Sequence, residues 1–288
     1  MSNGKVITVM NMKGGVGKTT VTAHLGSLIA KDKAFQKYKK VLMIDFDPQF
    51  NLSQTMLAPG DYFNHIKNSK CVEHILTDMV KAPNPLEVPC PMADAPPLPS
   101  DVVVNILDEK DCKLDIVLAN LELMYIALGS GDSNLAKMAT RFKAFVDESR
   151  KHYDLIFIDC HPSGSLFTKS AIENSDHIVI PVTQHAFAAR GVKLMQDFIK
   201  NIAHQPHKKH LLFNAVHGDP TTIKSEILSE RDFKGLDLKA DMPNNPLFKK
   251  LSNGQSFLWE NSTNASYQLA YLSLSTIASD LIAKIEAK

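Results

Sequence analysis

The stretch Val9-Met10-Asn11-Met12-Lys13-Gly14-Gly15-Val16-Gly17-Lys18-Thr19-Thr20 sets glycines, lysines and hydroxyls between a short apolar run and a helical pattern. Glycines there let successive backbone N–H groups turn inward on an anion, and the opening of a helix adds the positive end of its dipole. In that context Lys18 neutralises β- and γ-phosphate charge and the Thr19 hydroxyl ligates Mg²⁺, with Gly14, Gly15, Val16, Gly17 and Thr20 completing the cradle. The ordinary G-x-x-x-x-G-K-[ST] pattern is not met, because Met12 stands where its first glycine belongs. A tight glycine turn with two exposed lysines is the bland alternative, and the surrounding elements argue against it.

Two further acidic positions follow apolar runs. Leu42-Met43-Ile44-Asp45-Phe46-Asp47-Pro48-Gln49 puts carboxylates at i and i+2, on one face of a strand just where it leaves a sheet. Leu155-Ile156-Phe157-Ile158-Asp159 is four apolar residues ending in Asp, the form of a Walker B strand whose carboxylate holds Mg²⁺ or its water. Cys160 and His161 follow without a ligand partner at useful spacing, and both read as loop residues.

Groups so far apart in the chain need a framework that brings strand ends together. Short apolar runs at Val6–Met10, Val41–Ile44, Val102–Ile106, Leu114–Leu118, Leu155–Ile158, His177–Ile180 and Leu211–Asn214 read as strands. Several are continuously apolar, as in parallel strands covered on both faces. Between them, Thr19–Ala30, Cys71–Val80, Leu135–Lys151, Phe187–Ala203 and Thr221–Glu230 read as helices. The alternation predicts an α/β fold: a doubly wound, mostly parallel sheet with helices on both faces and a ligand site at the carboxyl ends of its strands. Residues 83–99 hold seven of the fifteen prolines, so residues 82–101 read as a surface excursion from one domain spanning 1–288. A final helix from Asn264 to about Lys284 carries Leu269, Leu272, Ile277, Leu281 and Ile285 as its packing positions.

Composition narrows the class. The chain has 288 residues, 44% hydrophobic and 22% charged, with a net charge of +1. Collagen-like, coiled-coil and disordered classes are excluded by those values, and no apolar run approaches the ~18 residues that span a bilayer. The four cysteines form no C-x-x-C pair, and a cytoplasmic protein without a membrane partner is expected. Any nucleic-acid site must be a local patch. Residues 1–40 carry eight lysines and one acid, and residues 190–250 carry eleven basic residues against seven acids.

The string KGGVGKTT resembles the deviant Walker A motif of the ParA/MinD group of P-loop ATPases, and DxDPQ resembles that group's second motif. The resemblance extends over about residues 5–285 and includes LDIVLANLELMYIAL at 114–128 and HIVIPVTQHAFAARGVKL at 177–194. It is nearest to Soj-like ParA partition ATPases, without the N-terminal helix-turn-helix of larger plasmid ParA proteins. The resemblance implies a weak Mg²⁺-dependent ATPase with ATP sandwiched in a homodimer. Lys13 then reaches the partner's phosphates, Asp47 positions the attacking water and Asp45 supports the Mg²⁺ shell. Asn214 and Pro243 are implied to contact the base. The D-x-P-P pattern after the Walker B strand is broken by His161, with Pro162 and Ser163 keeping to it.

DNA-binding relatives carry an I-P-R-N-x-R pattern whose arginines fall here at Asn244 and Leu247, leaving Lys249 and Lys250 as the nearest basic residues. Other clusters are Lys208 and Lys209 with His207 and His210, and Lys31, Lys33, Lys37, Lys39 and Lys40 with Phe35 and Tyr38 interleaved. The function implied is ATP-dependent, nonspecific DNA binding in partition or cargo positioning, with a ParB-like or other partner stimulating hydrolysis and a nucleoid-associated location. A MinD-like surface regulator calls for a more basic end helix than IASDLIAKIEAK. An iron–sulfur reductase calls for two interface cysteines per subunit, for which only Cys160 has a suitable place. A nucleotide-gated scaffold without DNA binding is the remaining alternative.

Overall fold

The computed structural model describes residues 3–81, 84, 87–110, 112–129, 132–161, 166–185, 188–202, 207–218, 221–258 and 265–287. Pro162, Ser163, the helix-end positions Phe187, Ala203 and Asn264, and residues 82, 83, 85 and 86 of the Pro-rich segment lie outside the described residues.

Eight strands form one sheet: β1 Lys5–Val9, β2 Lys40–Phe46, β3 Val104–Glu109, β4 Cys112–Val117, β5 Leu155–Cys160, β6 His177–Thr183, β7 Lys208–Val216 and β8 Met242–Pro243. Their order is β3-β4-β2-β5-β1-β6-β7-β8. Every pairing is parallel except that of β3 with β4, an antiparallel hairpin on one edge. The doubly wound, mostly parallel arrangement is as the sequence predicts. The order places β1, β2 and β5, which end in the glycine-rich loop and the two acidic motifs, side by side at the centre.

Alternate side chains along each strand serve opposite faces. Ile7 and Val9 join a core with Leu25 and Leu28 of α1 (Lys18–Lys31) and Ile277 and Leu281 of the end helix. Val6, Leu42, Ile44, Ile156 and Ile158 join a second core beneath the helices of the other face. Burial on both sides is why these strands read as unbroken apolar runs.

The other helices are α2 Asn51–Met56, α3 Pro59–Lys67, α4 Val72–Thr77, α5 Pro99–Val102, α6 Glu122–Leu128, α7 Asp132–Ser149, α8 Leu166–Glu173, α9 Ala188–Ile202, α10 Thr221–Ser229 and α11 Ala265–Glu286. Two expectations are corrected. The strand expected from Val102 begins at Val104, because Val102 closes the short helix α5, which opens on Pro99. In α11 the buried seam is Ala270, Leu274, Ile277, Ala278, Leu281 and Ile285, while Leu269 is 56% and Leu272 63% exposed. A step of five residues from Leu272 to Ile277 departs from the three- and four-residue steps that keep a helical stripe on one face.

The Pro-rich segment is tied down by helix α7. The fully buried Arg141 pairs with Asp78 and donates to the carbonyls of Ala93 (2.5 Å), Ala95 (2.7 Å) and Ile75 (2.8 Å). Asn134 and Lys137 donate to the carbonyls of Val88 and Pro91. A buried guanidinium satisfies in this way the carbonyls of a segment whose prolines cannot form a strand ladder.

Candidate functional site

The glycine-rich loop connects β1 to α1. Gly15 and Gly17 have φ of 72° and 86°, a region L-residues rarely adopt. A β-carbon on Gly17 would also lie 2.2 Å from Asn214 Nδ2. That amide donates to the Val16 carbonyl (2.8 Å), so the end of β7 clamps the loop. Asn214 is buried, and one N–H of its amide is used to hold the loop. Pro243 lies half-buried on β8, paired with Val216. Asn11, to which sequence reasoning assigned nothing, is the loop's second clamp. Its Nδ2 donates to the Pro181 carbonyl (2.8 Å) and its Oδ1 accepts from the Lys13 N–H (3.0 Å). The signal available was an Asn two residues ahead of the turn.

The loop's two lysines are placed differently. Lys18 is only 8% exposed and its Nζ lies 3.4 Å from the Lys13 carbonyl, inside the curl of the loop. Lys13 is exposed. Thr19 Oγ1 donates to Asp159 Oδ2 (2.7 Å), joining the start of α1 to the end of β5. Thr22 Oγ1 lies 3.5 Å from the other Asp159 oxygen.

The acidic motifs converge on this point. Asp45 and Asp159 are register partners on adjacent parallel strands. Asp45 is fully buried, its Oδ2 accepting from the Ser53 N–H (2.8 Å) and hydroxyl (2.7 Å). Asp47 accepts from the Gln49 N–H (2.9 Å), which holds the carboxylate at the turn after β2. Ser53, with no sequence signal of its own, anchors α2 to Asp45 and also accepts from the Ala119 N–H (2.9 Å). His161, expected as a plain loop residue, brings Nε2 to 3.9 Å from Asp47 Oδ1. Cys160 is buried, and burial pushes its thiol up to about 12.

Burial, with Asp47 nearby, holds the Asp159 carboxyl up at about 7, against the pull of the Thr19 hydroxyl and Lys18. Burial and the neighbouring Asp159 drive Asp45 well above the usual carboxylate range. Three carboxylates thus meet one buried lysine, a balance that a divalent cation beside Thr19 and Asp159 corrects. Among the described residues no three His, Cys, Asp or Glu side chains form a metal cluster by themselves. A cation at this place would take the Thr19 hydroxyl, the Asp159 carboxylate and oxygens from outside the protein, which suits Mg²⁺ on a phosphate chain.

A pH effect follows. The folded-state value of Asp159 is raised from 3.8 to about 7. The unfolded chain therefore sheds this proton first, and stability falls as pH rises through that window. Asp159→Asn is expected to flatten the fall and to stabilise the cation-free protein at neutral pH. Urea unfolding in EDTA at pH 5 and 7.5 measures it, and an unchanged difference between the two pH values rejects it.

A family model described as an AAA domain matches residues 4–213. The sporulation initiation inhibitor protein Soj of Bacillus subtilis is 29% identical over 209 residues, 72% of this chain and 68% of that protein. The chain belongs to the ParA-type P-loop ATPases. The fold agrees with solved structures: a plasmid partition protein of Borrelia burgdorferi bound to AMPPNP (TM-score 0.69, 20% identity, 98% of this chain and 99% of that one) and pNOB8 ParA (0.70, 19%, 98% and 99%). The matched stretch spans 62–68% of the length of the first curated relatives.

For a ParA-type chain the surface lysines matter, and the structure sorts them. Lys31 pairs with Glu109, and Lys37 with Glu286 at 2.7 Å. Phe35 and Tyr38 are buried, so they serve the core rather than a stacking surface. His210 is buried against His177, with Nδ1 of His177 3.0 Å from its Nε2, and burial pushes His210 down to about 3. It adds no positive charge to Lys208 and Lys209. Leu247 is packed in the core, whereas Lys249 and Lys250 are exposed at the end of a 3-10 turn. Among the described residues no helix is long and apolar enough to cross a membrane.

Proposed function

We propose that this ParA-type chain is a weak Mg²⁺-dependent ATPase acting as a dimerising switch. The observation that carries the proposal is the division between its two loop lysines, Lys18 folded into the cradle and Lys13 turned outward. Backbone N–H groups from Gly14 to Thr20 hold the phosphates, and Lys18 lies where charge on the β- and γ-oxygens concentrates. The exposed Lys13 is free to contact the phosphates held by a second copy. Thr19 and Asp159 hold Mg²⁺, which when bound neutralises the phosphate oxygens, and Asp45 supports that shell from behind through Ser53 and β5. Asp47, fixed by the Gln49 N–H, orients the water that displaces ADP from the γ-phosphorus, giving phosphate. Asn214, which also clamps the loop, and Pro243 contact the base.

The ATP-bound homodimer binds nonspecific DNA, and a ParB-like or other partner protein stimulates hydrolysis and release. Partition, or positioning of a cargo over the nucleoid, is the task this cycle serves, and the likeness to a plasmid partition protein supports it. With a net charge of +1, the contribution must come from local lysines doubled by dimer symmetry. Lys249 and Lys250 are the residues proposed.

Filter retention of random duplex at low salt, with and without ATP, tests the reading. Retention requiring ATP is expected. Lys249→Glu with Lys250→Glu should weaken it on all sequences alike and flatten log K against log salt by ~0.9 per lost phosphate contact. Absence of retention by the ATP-bound dimer removes the DNA reading and leaves a protein-binding switch.

A further inference from the structure

Away from the phosphate loop, at the carboxyl ends of β2 and β4, lies a cavity of about 790 Å³. That volume falls within the ~300–1,000 Å³ of small-molecule sites, and strand carboxyl ends are where open α/β sheets bind ligands. Its walls are apolar and aromatic. Phe50, just after β2, stacks on Tyr62 of α3, with ring centroids 5.8 Å apart and planes 12° from parallel. Leu121, just after β4, and Phe63 leave more than half their surface exposed at the cavity's edge. Phe50 and Met79 of the lining hold φ of 45° and 61°, left-handed values that side-chain-bearing residues rarely adopt.

The buried polar part of the lining, Glu73 and Asn120, offers acceptors, while Gln54, Lys67, Lys81 and Asn253 line the cavity from exposed positions. Glu73 of α4 is 3% exposed, and its Oε2 accepts from Asn120 Nδ2 at 2.6 Å. Asn120 is 5% exposed, and among the described residues its Oδ1 has no hydrogen-bond partner. Exchanging the amide's oxygen and nitrogen would turn an acceptor toward the Glu73 carboxylate, so this orientation is fixed by its neighbour. Burial raises the Glu73 carboxyl above its ordinary value, with the Asn120 bond opposing that rise. The ion pair of Lys81 with Glu122 (3.5 Å) is exposed and stands at the rim.

A buried amide oxygen without a donor, beside a buried carboxylate and beneath aromatic walls, selects its complement. We infer that this cavity is a binding site for a small aromatic amine, whose ring packs against Phe50 and Tyr62 and whose N–H donors reach Glu73 and Asn120 Oδ1. The buried acceptors decide the class: Lys67 and Lys81 line the cavity from exposed positions, and neutral or anionic aromatics fill the same walls but bring no ammonium donor to Glu73 and Asn120 Oδ1. The site is separate from the phosphate loop, and the inference stands whether or not the chain hydrolyses ATP.

The test uses the full ¹⁵N-labelled chain titrated with tryptamine, with 3-propylindole as the neutral probe and indole-3-propionate as the anionic one. Tryptamine is expected to shift the amides of Tyr62, Asn120 and Leu121 saturably, and to bind roughly tenfold more tightly than 3-propylindole. Glu73→Gln should remove that tenfold preference while 3-propylindole binding is unchanged. Leu121→Trp, at an exposed position that does not threaten the fold, should block both probes. The inference is overturned if tryptamine leaves these amides unmoved, if 3-propylindole binds as tightly, or if the shifts survive Leu121→Trp. It is overturned equally if these amides move with protein concentration alone, which would assign the cavity to a second copy.

Discussion

Asp47→Ala is expected to bind MgATP and to dimerise, yet to lose roughly 10²–10⁴-fold in single-turnover hydrolysis, the range of a water-positioning or general-base group. Among the described residues Asp47 makes no hydrogen bond to the phosphate loop. Its structural contact is acceptance from the Gln49 N–H, which an alanine leaves unmet at a partly exposed turn. Asp45 and Ser53 keep α2 anchored without it. Binding and chemistry therefore separate in this variant, and the ATP-bound dimer accumulates. Rapid quench on enzyme in excess over nucleotide measures the step, free of product release. Hydrolysis within a factor of about two of the parent would place the water-orienting role elsewhere, with His161 the nearest group to examine.

The two loop lysines should fail in different ways. Lys18→Ala removes the one lysine buried in the cradle and leaves the phosphates without their cation. A loss of about 2–5 kcal/mol, a factor of roughly 30 to 4,000 in Kd, is expected. Lys13→Ala is expected to keep monomer affinity, since its side chain is exposed, while its backbone N–H still meets Asn11. What it should lose is dimerisation driven by nucleotide. Isothermal titration for binding and sedimentation velocity with a nonhydrolysable ATP analogue separate the two. If Lys13→Ala dimerises as the parent does, the contact across the interface is not made by Lys13 and the sandwich arrangement falls.

The parts of this protein legible in sequence are those whose chemistry is local. Gly15 and Gly17 are demanded by backbone angles of one short loop, and the order strand, loop, helix is written in consecutive residues. Asp45, Asp47 and Asp159 are each marked by the apolar strand that precedes them. The doubly wound sheet follows because strands buried on both faces have a composition of their own. Tertiary structure decided what depends on which strands are neighbours. Placing β5 between β1 and β2 sets Asp159 beside both Thr19 and Asp45 and gives it a raised pKa that no spacing announces. Asn214 clamps Val16 across 198 residues, and Glu73 meets Asn120 across 47. The lysine-rich start of the chain looks free in sequence, yet Glu109 and Glu286 come from distant elements to pair with Lys31 and Lys37. Even the inward face of α11 was settled by packing, which buried Ala270 and Leu274 and left Leu269 and Leu272 outside. Backbone preference and apolar period act over a few residues, whereas charge balance and hydrogen-bond pairing are properties of the neighbours that the fold supplies.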